Sequence, residues 1–169
     1  MKNPITTAFY DQWTIMTSWI SGTLSRLSDA DLCAYVGRNH GIWILGHLIE
    51  SEDELGVYLG KADWMFPDYA DMFGQGSVLL PADKYPSAAV LREQWRAVLD
   101  RNHLLLQALS DAEWDEPHTQ IHSGVPVDKD FFRTKGRCIA IWNIHQAHHN
   151  GQLSILAAMV KQAATATTT

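Results

Sequence analysis

Three histidines carry the chemistry that this chain could do. His145 and His149 lie in the run His145-Gln146-Ala147-His148-His149-Asn150-Gly151-Gln152-Leu153. Residues four apart on an α-helix share a face, one turn apart. Two imidazoles so placed can hold one ion from a single rigid element. His47 sits far upstream, in Trp43-Ile44-Leu45-Gly46-His47-Leu48, a second helical stretch. Three such ligands leave open positions on a metal, and open positions are where substrates are activated.

Spacing leaves one choice open. His148 is three residues from His145 and could replace His149, because the three histidines span roughly 100° of a helical wheel. His118 and His122 are also four apart, but in a Pro/Gly-rich stretch where helical geometry is not expected. His40 and His103 carry no supporting context and read as surface or outer residues. Glu50, one turn beyond His47, is a candidate outer partner or further ligand. Gln152, three residues beyond His149, is a candidate for orienting a ligand or a metal-bound water.

Four helical segments must position these residues. The first, from about Pro4 to Leu27, repeats Phe9, Trp13, Met16, Ile20, Leu24 and Leu27 at steps of three and four. The second runs from about Ile42 to Leu59 and adds the acidic residues Glu50, Glu52, Asp53 and Glu54 to an apolar surface. The third, about Ser87 to Leu109, opens on a serine suited to an N-cap. The fourth runs from about Phe131 to Lys161, and a low-complexity tail at 163–169 is expected to fray. Residues 60–86 form a long connection rich in Gly, Pro and aromatic residues, of the kind that packs down over a site. A polar stretch follows at 110–130, with a short extended hairpin expected around 121–127. The echo Leu27-Ser28-Asp29-Ala30-Asp31 and Leu109-Ser110-Asp111-Ala112-Glu113 closes a helix each time and suggests a two-fold plan. The expected fold is an all-α four-helix bundle with a long crossover, forming one domain over residues 1–162. Gly46 and Gly151 suggest that the second and fourth helices approach closely beside the histidines.

Composition narrows the function. A formal charge of −6 and no cluster of Lys or Arg argue against a nucleic-acid partner. No apolar run approaches the roughly 20 residues that span a bilayer, and Met1-Lys2-Asn3-Pro4 lacks a signal-peptide core. Cys33 and Cys138 are isolated, which excludes a C-x-x-C motif and is read as two buried free thiols in a cytoplasmic protein.

The segment Trp43-x-x-Gly46-His47-Leu48, together with His145-x-x-x-His149-x-Gly151-Gln152, resembles the DinB/YfiT-like superfamily of metal-binding bundles. The resemblance implies an up-down-down-up bundle, often a homodimer, with His47, His145 and His149 as ligands in preference to His148. Asn150 stands where the family commonly has arginine. Three neutral imidazoles suit zinc or nickel, with iron and cobalt as further possibilities. The resemblance further implies a metal-dependent enzyme acting on a small molecule, such as an S-transferase using a low-molecular-weight thiol. The alternatives are a hydrolase using a metal-bound hydroxide, with Glu50 or Glu54 as base, and a non-catalytic metal-binding stress-response protein.

Overall fold

A computed structural model of the chain describes residues 3–118 and 133–166. The expected hairpin at 121–127, His122 and the expected helix start at Phe131 lie outside the described residues. Helix α1 spans Pro4–Leu24, α2 Gly41–Tyr58, the short α3 Tyr69–Phe73, α4 Ala88–Ala108 and α5 Lys135–Ala166. The chain between α2 and α4 is the expected long crossover, with α3 as its one regular segment longer than a single 3-10 turn. A two-stranded antiparallel ribbon, Tyr35–Val36 against Asn39–His40, turns the chain into α2. Gly37 takes φ +64° in that turn, a conformation that suits glycine.

Local chemistry sets the helix ends. Asn3 accepts from the Ile5 amide at 2.9 Å, ahead of Pro4 in the first turn. α1 stops at Leu24, one turn before the expected Leu27, because Arg26 and Leu27 turn back onto the Thr23 and Leu24 carbonyls. The repeated Leu-Ser-Asp-Ala motif is the same device twice. The Ser28 amide donates to Asp31 at 2.8 Å while the Asp31 amide donates to Ser28 Oγ at 3.1 Å. Ser110 and Glu113 repeat this reciprocal box at 2.8 and 3.4 Å. Each box opens a single 3-10 turn, Asp31–Cys33 and Glu113–Asp115. At the other end of the chain α5 continues to Ala166, beyond the expected start of the tail at 163.

α1 packs on α5, and α2 packs on both α4 and α5. Phe9 meets Asn143 and Thr23 meets Asn150, so α1 and α5 run parallel. Ser51 meets Trp142 while His47 meets His145, so α2 runs against α5. Tyr10 meets His103 and Ser21 meets Trp95, so α4 runs against α1. The order is up-down-down-up.

Every residue of α2 is buried. Apolar clusters lie at its two ends, one around Ile44, Leu45, Leu48, Phe73, Trp95 and Leu153, the other around Trp13, Leu55, Tyr58, Leu106 and Trp142. Between them the acidic run Glu50–Glu54 is buried too, where a solvated face was the ordinary expectation. It is kept there by partners on the other long helices. Glu52 accepts from Trp13 of α1 at 3.0 Å, from Asn102 of α4 at 2.8 Å, and from Gln146 of α5. Burial nevertheless raises its carboxyl pKa. Asp53 pairs with Arg101 and accepts from the Met65 and Phe66 amides at 2.9 and 2.8 Å. It therefore fastens the start of the crossover to the bundle.

Candidate metal centre

His47 projects from the first half of α2, and His145 and His149 project from the middle of α5. The antiparallel packing of these helices brings three Nε2 atoms to one point. His145 Nε2 lies 2.9 Å from His47 Nε2 and 2.9 Å from His149 Nε2. All three ligand atoms fall within 4.8 Å of one another. Nitrogens held about 2.1 Å from a common ion stand about 3.0 Å apart at right angles and about 3.4 Å apart at tetrahedral angles. The observed separations fit such an ion.

The proton inventory points the same way. A neutral imidazole carries one N–H. His47 Nδ1 donates to the Phe73 carbonyl at 2.8 Å, and His149 Nδ1 donates to Gln152 Oε1 at 2.7 Å. Both Nε2 atoms are then bare lone pairs aimed at His145. His145 Nε2 has one proton at most and can satisfy one of them. The other approach at 2.9 Å sets lone pair against lone pair, and a divalent cation among the three nitrogens removes that conflict. Burial, followed by the neighbouring imidazoles, pushes the His145 pKa down to about 2 and that of His149 down to about 4. The rings are thus held in the unprotonated form that ligates.

His148 does not join them. It is exposed, and its ring touches only the edge of the group, 4.9 Å from the His149 ring. Gln152 sits on the Nδ1 side of His149 and orients that ring, not a ligand in the open part of the site. The Glu50 carboxylate lies 3.5 Å from His47 Nδ1, on the far side of the ring from the meeting point. Among the described residues no carboxylate or thiol joins the three-histidine group.

The expected close approach of two helices at Gly46 and Gly151 is not what these glycines do. A Cβ at Gly151 would meet nothing within 4 Å. A Cβ at Gly46 would lie 2.1 Å from the ring of Phe73, which belongs to the crossover and not to α5. The missing side chain lets α3 seat on α2, and this places the Phe73 carbonyl at His47.

Several residues take up partners that the sequence expectations did not assign to them. Trp43 stacks on the His47 ring, centroids 4.9 Å apart and planes 18° apart, and its indole donates to Ser77 Oγ at 3.3 Å. One turn of helix separates Trp43 from His47, and that spacing is the signal that could have found it. His40, expected at the surface or as an outer residue, is fully buried: its Nδ1 caps α2 at the Trp43 amide and its Nε2 donates to the Leu80 carbonyl at 3.0 Å. His103 bonds the Tyr10 hydroxyl at 2.9 Å. His118 is buried with its ring edge on Tyr58. Both cysteines are free, but Cys33 is exposed where burial was expected, while Cys138 is buried and its thiol is pushed up to about 12. No helix among the described residues is long and apolar enough to cross a membrane.

Known proteins place this architecture. No protein of curated function matches the chain. A solved structure described as a conserved protein from Enterococcus faecalis superposes with a TM-score of 0.67. It covers 96% of this chain and 99% of its own, at 12% identity, a likeness of fold. The sequence profile of the DinB superfamily matches residues 12–153, a span that contains all three converging histidines. The chain belongs to the DinB superfamily.

Proposed function

We propose that the protein holds one divalent ion through His47, His145 and His149 and uses it to activate a low-molecular-weight thiol for transfer to a small electrophile. The observation that carries this reading is the convergence of three Nε2 atoms, with no carboxylate in the group among the described residues. An ion held by three neutral imidazoles keeps open positions and acidifies a thiol or water that binds there. Hydrolysis wants a general base at the same point, and Glu50 lies behind His47. A thiol acidified at such an ion would need no such base. In the transfer its sulfur bonds to the electrophilic carbon, the leaving group departs with the bonding pair, and the thiol proton passes to solvent.

The chain's own part is to hold the rings. Phe73 and Gln152 fix two of the three imidazoles through Nδ1, and Trp43 packs against the face of His47. Zinc and nickel are the proposed ions, ahead of iron and cobalt. A cytoplasmic setting suits both the thiol substrate and the two free cysteines. A homodimer is also proposed. Its support is the exposure of Ile15 and Trp19 on α1 and of Ile144, Ile155 and Met159 on the neighbouring α5.

Elemental analysis of protein purified without a histidine tag tests the centre. About one metal per chain is expected for the wild type, and little for His149→Ala; equal, substoichiometric metal in both would remove the reading. Conjugation of a reactive electrophile with glutathione, bacillithiol or mycothiol, followed by product mass, tests the reaction. Hydrolysis of activated esters or amides without thiol conjugation would favour the metal-hydroxide alternative. Inactivity across both panels would favour the non-catalytic one.

A further inference from the structure

We propose that the crossover is a metal-responsive strap: ion binding at the three histidines and docking of residues 63–77 stabilise each other. This rests on the metal reading above. The strap grips His47 on two sides. The Phe73 carbonyl accepts from Nδ1 at 2.8 Å, and Ser77 holds the indole of Trp43, which covers the ring face. An ion at Nε2 draws electron density from the ring and strengthens Nδ1–H as a donor. It also fixes the proton on Nδ1. In the other tautomer Nδ1 would turn a lone pair toward the Phe73 oxygen, and the contact that docks α3 would be lost.

Apart from His47, the strap is fastened at separate points. Asp53 receives the Met65 and Phe66 amides. The Tyr69 hydroxyl donates to Gln94, and His40 donates to the Leu80 carbonyl. The Phe73 ring lies between those of Tyr69 and Tyr85, with centroids 4.8 and 5.0 Å away. A helix of five residues gains little from its own hydrogen bonds and depends on these fastenings, so a bias at His47 would shift how often it is docked. Coupling of this kind is reciprocal: if the ion favours the docked strap, loosening the strap must weaken the ion.

Hydrogen exchange of the untagged full chain, with zinc and with chelator, reads the first half. Zinc is expected to slow exchange at Met65, Phe66, Met72, Gly74 and Ser77 at least tenfold, while amides in the middle of α4 serve as the reference. Tyr69→Phe reads the second half. It removes the bond to Gln94, and its hydroxyl bonds none of the three histidines. Its zinc affinity in chelator competition is expected to fall at least threefold, with unchanged helical content. Gly46→Ala, which displaces the Phe73 ring directly, is the second variant. Stoichiometric zinc that leaves strap exchange unchanged overturns the coupling and leaves the metal centre standing. So does a variant whose strap exchanges faster while zinc binds as tightly as in the wild type. Failure of zinc to bind the wild type overturns both readings.

Discussion

The ring of Phe73 fills the space that a side chain at Gly46 would occupy, with 2.1 Å between the nearest ring carbon and the Cβ position. That one contact joins the crossover to the helix carrying His47 and sets the distance at which the Phe73 carbonyl meets Nδ1.

Gly46→Ala is therefore expected to weaken metal binding about tenfold, in the range seen when an outer partner of a ligating histidine is lost. Gly151→Ala is the control. With nothing near its Cβ, it should leave affinity unchanged and add about 0.5–1 kcal/mol of helix stability. Chelator competition and thermal melts check the pair; a harmless Gly46→Ala would break the link between ring and ligand.

Acid should destabilise the metal-free protein early. His145 and His149 titrate near 2 and 4 in the folded chain and near the ordinary value of about 6.5 when unfolded. Below pH 6.5 the unfolded chain binds the more protons, so stability falls with pH. The slope is about 1.4 kcal/mol per pH unit for each histidine, until the folded values are reached. Urea unfolding in chelator at pH 7, 6 and 5 measures this slope, and His149→Gln should reduce it by about half.

Arg101→Met should cost about 3–5 kcal/mol, because it leaves the fully buried Asp53 without its cation. Gly56 leaves room for that guanidinium: a Cβ there would come within 2.5 Å of Nη2. Gly56→Ala should thus lose stability in the same direction. Chemical denaturation decides, and a wild-type midpoint for Arg101→Met would show that the pair is not holding the crossover.

Trp19→Glu should yield a monomer if α1 and α5 form the proposed dimer face. Sedimentation velocity at two concentrations distinguishes a dimer that the substitution dissolves from a chain that is monomeric throughout. In the second case Ile144→Glu would be equally silent.

Helical periodicities made the bundle legible in the sequence, and the Gly/Pro-rich stretch its long crossover; spacing left the second ligand of α5 open, and the family resemblance chose His149. What periodicity could not show was which partners reach a residue from elsewhere in the chain. Glu50–Glu54 read as a polar helix face, yet Glu52 and Asp53 are buried against Trp13, Asn102 and Arg101, tens of residues away. His40 lacked a context because its partners are a backbone amide and a carbonyl. Gly46 does mark a close approach, but of Phe73 from the short α3 and not of the fourth long helix, and no long-helix periodicity announces that residue. His148 and His149 were equivalent as partners of His145 until the packing of α5 on α2 exposed the first and buried the second.

His47 and His145 stand 98 residues apart along the chain. An ion shared between them is a cross-link that closes most of the molecule into a ring. Closing a loop of about 100 residues removes roughly 4–5 kcal/mol of freedom from an unfolded chain when the link is a disulfide. Both cysteines here are free. The three histidines would thus serve this chain as its staple, and stripping the ion would lower its resistance to unfolding as reduction does for a disulfide-bonded domain.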